Sequence, residues 1–138
     1  MKKINFIFCI HCHQPVGNFE SVFEDAYRQS YLPFILMLEK FPNIKMTVHY
    51  TGVLLSWFQE KHPEFLEKLK NLVLKRQIEI MSGGYYEPII AILPDSDKIG
   101  QIKKQNEFTK KNLNHHPRGM WLAERVWEPH LPKAIAQA

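Results

Sequence analysis

Apolar positions recur with two different periods along this chain, and the alternation between them predicts its architecture. Residues 4–10, Ile-Asn-Phe-Ile-Phe-Cys-Ile, are apolar nearly throughout, as in parallel strands covered on both faces, and predict a first strand. Glu20-Ser21 can cap a helix covering Val22, Phe23, Ala26 and Tyr27. Ser30 can cap a second helix with Pro33 in its first turn, Leu32, Ile35, Leu36 and Leu38 facing the sheet, and Pro42-Asn43 as its end. Residues 45–50 predict a second strand, with His49 near its end. Thr51-Gly52 then turns into a helix carrying Val53, Leu54, Leu55, Trp57 and Phe58. Pro63 starts another, with Phe65, Leu66, Leu69, Leu72 and Val73 at helical spacing.

Residues 77–81 predict a third strand running into Ser82-Gly83-Gly84, and Asp95 or Ser96 is placed to cap a helix containing Ile99, Ile102 and Phe108. An apolar run rising out of Arg118-Gly119-Met120 predicts a fourth strand carrying Trp121, with Pro129 in the first turn of the helix that follows. Strands and helices alternate, which makes the fold class α/β, with parallel strands joined by right-handed crossovers. Four strands do not close a barrel.

Composition adds limits. With 138 residues, 45% hydrophobic and 23% charged, the chain is about one globular domain, without repeats or low-complexity tracts. The net charge of +4 comes from basic residues scattered among acidic ones, so no nucleic-acid partner is expected. No apolar stretch reaches the length of a membrane span, and Met1-Lys2-Lys3 leads into a short apolar run without a small-residue cleavage site; a cytoplasmic protein is expected. Cys9-Ile10-His11-Cys12-His13 spells the C-x-x-C-H pattern of haem attachment. Cys9 falls inside a strand, however, and Gln14-Pro15-Val16-Gly17 does not continue as a helix, so a buried thiol is the reading here.

Polar residues at the carboxyl ends of the strands are the candidates for chemistry, because β/α folds build their sites there. His11 and His13 follow the first strand, and H-x-H in an extended chain points both rings the same way. Gln14 comes next. His49 closes the second strand, and Glu79 lies within the third, where apolar neighbours would bury it and require a partner. Tyr86 and Glu87 occupy the loop after that strand. The fourth segment offers Trp121, Glu124, Arg125 and Trp127, a carboxylate between indole faces on which pyranose rings can rest.

Trp121-Leu122-Ala123-Glu124-Arg125-Val126-Trp127-Glu128-Pro129 resembles the nucleophile segment of glycoside hydrolase family 57, W-L-(A/T)-E-R-V-W-(E/Q)-P. His11, His13, Gln14 and Pro15 resemble the family's H-x-H-Q-P segment, and Gln77-Ile78-Glu79-Ile80 its G-Q-L-E-I segment, with Arg76 in place of the glycine and Cys12 where the family usually has asparagine. The resemblance runs along the whole chain. It implies the first four β/α units of a seven-stranded barrel, hence the amino-terminal portion of a longer catalytic domain spanning residues 1–138 here. It further implies a retaining α-amylase or 4-α-glucanotransferase acting on α-glucans or maltooligosaccharides, with no cofactor and no metal.

In that reading Glu124 is the nucleophile, kept ionised by Arg125 and nearby donors. His11 and His13 donate to sugar hydroxyls, and Glu79 orients another side chain. The family's acid/base aspartate lies on a later strand without a match here, so the remainder of the barrel would be needed for activity. Two other readings stay open on the residues. His11 and His13, with Glu79 or His49, could hold a metal as in amidohydrolase-type enzymes. A non-catalytic sugar-binding module would explain the aromatics but not the carboxylates.

Overall fold

The computed structural model describes residues 3–138; Met1 and Lys2, read above as part of a charged start, lie outside the described residues. Three parallel strands form one sheet in the order β1 (Cys9–Cys12), β2 (Met46–Tyr50), β3 (Ile78–Ile80). Between β1 and β2 come α1 (Glu20–Ala26) and α2 (Leu32–Lys40); between β2 and β3, α3 (Gly52–Lys61) and α4 (Pro63–Leu74). After β3 the chain forms α5 (Asp95–Leu113), a short 3₁₀ turn at Ala123–Arg125 and α6 (Leu131–Ala136).

The alternation within each strand divides the sheet into two faces. Val48, Tyr50, Ile78 and Ile80 turn towards the helices and are fully or almost fully buried against Ile35, Leu38, Leu54, Phe58, Phe65 and Leu69. Residues between them, among them Thr47, His49 and Glu79, belong to the opposite face. The sheet is open. Its strands are parallel, as the alternating pattern predicts, and it corresponds to the first β/α units of the barrel that the family resemblance implies; none of the described helices is long and apolar enough to cross a membrane.

Several local expectations are corrected. The first strand begins at Cys9, and Ile4, Phe6 and Ile7 are 84–90% exposed. Its partner β2 begins only at Met46, and Thr47 N–H donates to Phe8 O at 3.0 Å, so among the described residues 3–7 none has a neighbouring strand. Cys9 is therefore exposed rather than buried. Cys12 packs against the core, and burial pushes its thiol up to about 12, away from thiolate chemistry.

The two helices expected between residues 20 and 40 are one continuous run, joined by a π-helical stretch at Tyr27–Tyr31 in which Leu32 N–H donates to Tyr27 O. Pro33 lacks a donor and crowds the preceding turn, and the widened stretch directly precedes it. Ser30 caps nothing. Pro94 is the cap residue of α5, while Asp95 pairs with Lys98 at 2.8 Å.

The fourth strand is reduced to one parallel bridge between Ser82 and Met120, where Ser82 N–H donates to Gly119 O at 2.9 Å and Trp121 N–H to Ser82 O at 2.8 Å. Left-handed backbone at Glu124 and Arg125 ends any extension. Pro129 lies ahead of α6, and Pro132 takes its first turn.

Candidate active site

The register of the sheet builds the site. His11 of β1 lies directly opposite His49 of β2, on the face away from the helices, and their Nδ1 atoms are 2.8 Å apart. Glu87 reaches both histidines of the H-x-H pair: its Oε1 is 2.8 Å from His11 Nε2, and its Oε2 contacts His13 Nδ1. The Trp121 indole stacks on His11 with centroids 4.4 Å apart and planes within 11°. Three imidazoles, one carboxylate and one indole thus converge at the carboxyl ends of β1 and β2.

Hydrogen-bond accounting assigns the protons. An ionised Glu87 accepts from His11 Nε2–H, which leaves His11 Nδ1 to accept from His49 Nδ1–H, while Glu87 Oε2 contacts His13 Nδ1 but is buried without a hydrogen-bond partner. His49 is fully buried, and burial followed by the neighbouring His11 charge lowers its pKa from 6.5 to about 3. It is neutral, and its Nε2 is buried without a partner. Gly83 is what admits the ring there, since a Cβ at that position would lie 2.5 Å from His49 Nε2. Burial alone would raise the Glu87 pKa; the His11 hydrogen bond and the electrostatic attraction of the neighbouring histidines outweigh it and hold the carboxyl below its ordinary range.

The loop carrying Glu87 is pinned from α5 and α3. Gln101 accepts from Tyr85 N–H through its carbonyl and from Tyr86 N–H through its side chain, at 3.3 and 3.0 Å. Lys104 Nζ lies 4.3 Å from the centroids of both tyrosine rings, and Tyr85 OH bonds Ser56. Glu87 itself takes a left-handed backbone (φ 54°) and donates its N–H to Gly84 O. Sequence reasoning missed Gln101, Lys104 and the spatial role of Gly83. The adjacent glycines after the third strand are the one signal for it in the sequence.

The other candidates are distributed around this cluster. Gln14 donates to Tyr31 OH and accepts from Asn18, which ties the loop after β1 to α2's approach. Glu79 is exposed rather than buried and pairs in register with Thr47, one pleat below His49, so it needs no buried partner and does not join the histidines. The metal set weighed with Glu79 as a ligand is therefore not assembled; Glu87 stands in its place. Tyr86 and Trp127 are about half exposed.

Glu124 and Arg125 are exposed in consecutive left-handed conformations (φ 55° and 56°), and among the described residues no ion pair joins them. Left-handed φ in non-glycine residues is strained and concentrates at functional sites. Glu124 lies three positions after Trp121, a reach of at most about 11 Å of extended chain.

A profile of the family described as Glycosyl hydrolase family 57 matches residues 7–138. The chain is 53% identical over 137 residues to an alpha-amylase 1 of Dictyoglomus thermophilum, covering 99% of this chain and 20% of that protein. It is 50% identical over 138 residues to a 4-alpha-glucanotransferase of Thermococcus kodakarensis, covering 100% and 21%. The crystal structure of a 4-alpha-glucanotransferase from Thermococcus litoralis superposes with a TM-score of 0.97 at 46% identity, over 100% of this chain and 22% of that one. The chain thus spans about a fifth of the length of these relatives. With the profile matching residues 7–138 and this similarity along the whole chain, the chain belongs to glycosyl hydrolase family 57.

Proposed function

We propose that this chain supplies the first β/α units and the nucleophile of a retaining enzyme that cleaves or transfers α-1,4-glucosidic bonds in α-glucans or maltooligosaccharides. The observation that carries the reading is Glu124, held in strained backbone three residues beyond the indole that covers His11. Relatives named as amylases and glucanotransferases support the substrate class.

The mechanism follows from the chemistry of retaining cleavage. Glu124 attacks the anomeric carbon as the glycosidic bond breaks, giving a covalent glycosyl-enzyme. A second carboxylic acid, about 5–5.5 Å away, protonates the leaving oxygen and then activates the acceptor. We assign that acid to an aspartate outside these 138 residues, so the chain alone would turn over no glucan. Water as acceptor gives hydrolysis, and a sugar hydroxyl gives transfer.

The cluster suits recognition of the sugar next to the scissile bond. Glu87, held ionised, accepts from hydroxyls, and the imidazoles of His11 and His13 donate. Neutral His49 fixes the His11 ring, while Trp121, Trp127 and Tyr86 offer aromatic faces for pyranose stacking. Gln14 holds the loop that bears His13.

The test is chemical rescue in the full-length enzyme. Glu124→Ala should lower kcat by on the order of 10³-fold or more, because the covalent route is removed. Added azide should then restore turnover and give a glycosyl azide of inverted anomeric configuration. An alanine variant that keeps its activity, or one whose azide product retains configuration, contradicts the assignment.

A further inference from the structure

The cluster at the carboxyl ends of β1 and β2 has a second chemical capacity, which draws on the same side chains as the sugar contacts proposed above. We propose that His11, His13 and Glu87 form a binding site for a divalent transition-metal ion of borderline softness, Zn²⁺ or Co²⁺, supported by the hydrogen bond between the His11 and His49 rings. One ligand atom from each of the three residues lies within 4.8 Å of the other two. A tetrahedral ion with bonds of about 2.0–2.2 Å sets its ligand atoms roughly 3.3 Å apart. The His11 Nε2 to Glu87 Oε1 distance is 2.8 Å, so an outward shift of a few tenths of an ångström admits the ion.

The donor set selects the class. Two imidazoles and one carboxylate suit zinc, cobalt, nickel or copper, whereas magnesium and calcium need oxygen shells that this cluster lacks. Sulfur is excluded on position: Cys12 packs against the helical core, and Cys9 Sγ lies 3.3 Å from Met81 Sδ. Three protein ligands leave a fourth place for water.

Preorganisation is the second line of argument. The His11 ring is clamped between its Nδ1 contact to His49 and the parallel Trp121 indole, and Glu87 sits on a loop tied down by Gln101. A metal-bound imidazole characteristically bonds a neighbour through its other nitrogen, which fixes ring and tautomer; His49 occupies that position. Presenting the Nε2 lone pair needs only a change of tautomer. The proton then sits on His11 Nδ1 and is donated to His49 Nδ1, while His49 carries its own proton on Nε2, so the neutral pair loses none.

The experiment titrates Zn²⁺ alone against the 138-residue chain in competition with a chromogenic chelator, and Co²⁺ by visible absorption. One ion per chain with micromolar or tighter affinity is expected, and Co²⁺ should give ligand-field bands without thiolate charge-transfer absorption. Glu87→Gln and His13→Asn should each weaken Zn²⁺ binding at least tenfold, while His116→Ala leaves it unchanged. His13→Asn, at a half-exposed side chain, keeps the test readable if Glu87→Gln does not fold. Absence of stoichiometric binding, affinity indifferent to the His13 and Glu87 variants, or a thiolate band would each overturn the proposal.

Discussion

His49 shows how a single residue couples the site to the stability of the fold. Its folded pKa, about 3, lies below the ordinary 6.5, so below pH 6.5 the unfolded chain takes up a proton that the native chain refuses. The stability associated with neutral His49 is complete above pH 6.5 and is lost progressively as pH falls towards 3. Glu87 acts in the same direction at lower pH, since its folded pKa is depressed and its contribution disappears as pH drops through that value. Urea midpoints followed by circular dichroism should decline across this window, and in His49→Gln the decline between pH 6.5 and 3 should be shallower. An identical slope in the variant would contradict the buried neutral imidazole. The sequence placed His49 correctly at the end of β2, where strand alternation sends it to the face opposite the core. It could not show that Gly83 leaves room for the ring, because that space belongs to a loop more than thirty residues away.

At the level of elements, α3 and α5 act as a vice on the loop that bears Glu87. Gly52, the first residue of α3, lies flat against Tyr85; a Cβ there would meet the ring at 2.2–2.5 Å. Gly100 sits in the middle of α5 with open space around it. The two glycines should therefore respond oppositely to alanine. Gly100→Ala should stabilise by about 0.5–1 kcal/mol through helix propensity and reduced unfolded-state freedom. Gly52→Ala should destabilise by about 1–3 kcal/mol by overpacking. Denaturant unfolding of both variants checks this, and a neutral Gly52→Ala would show that Tyr85 is not seated as described. Helices and the second and third strands were legible because their apolar faces are long and regular. The first strand was misplaced because Ile4 to Phe8 are as apolar as a buried strand, and only the length of its neighbour decides where pairing starts. The fourth shrank to one bridge because pattern cannot register the left-handed turn at Glu124.

The whole molecule is an open sheet with helices on one face and the candidate cluster at one end. Its unpaired β1 flank and the exposed Ile4, Phe6 and Ile7 form an apolar edge of the kind that invites association. The isolated chain should self-associate with rising concentration in sedimentation velocity, and Phe6→Lys with Ile7→Glu should shift it towards monomer; a wild-type chain that stays monomeric would contradict this. At this scale the fold class was the most legible property, since β/α alternation dictates a parallel sheet. The site was legible as a set of residues but not as a geometry: the sequence places Glu87 only in the loop after the third strand, and it proves to join His11 to His13. The central claim concerns Glu124, and a mechanism-based fluorosugar tests it most directly. Incubation of the full-length enzyme with a fluorinated glucosyl or maltosyl donor, then peptide mass spectrometry, should find the sugar covalently attached to Glu124; attachment to any other side chain would contradict the account.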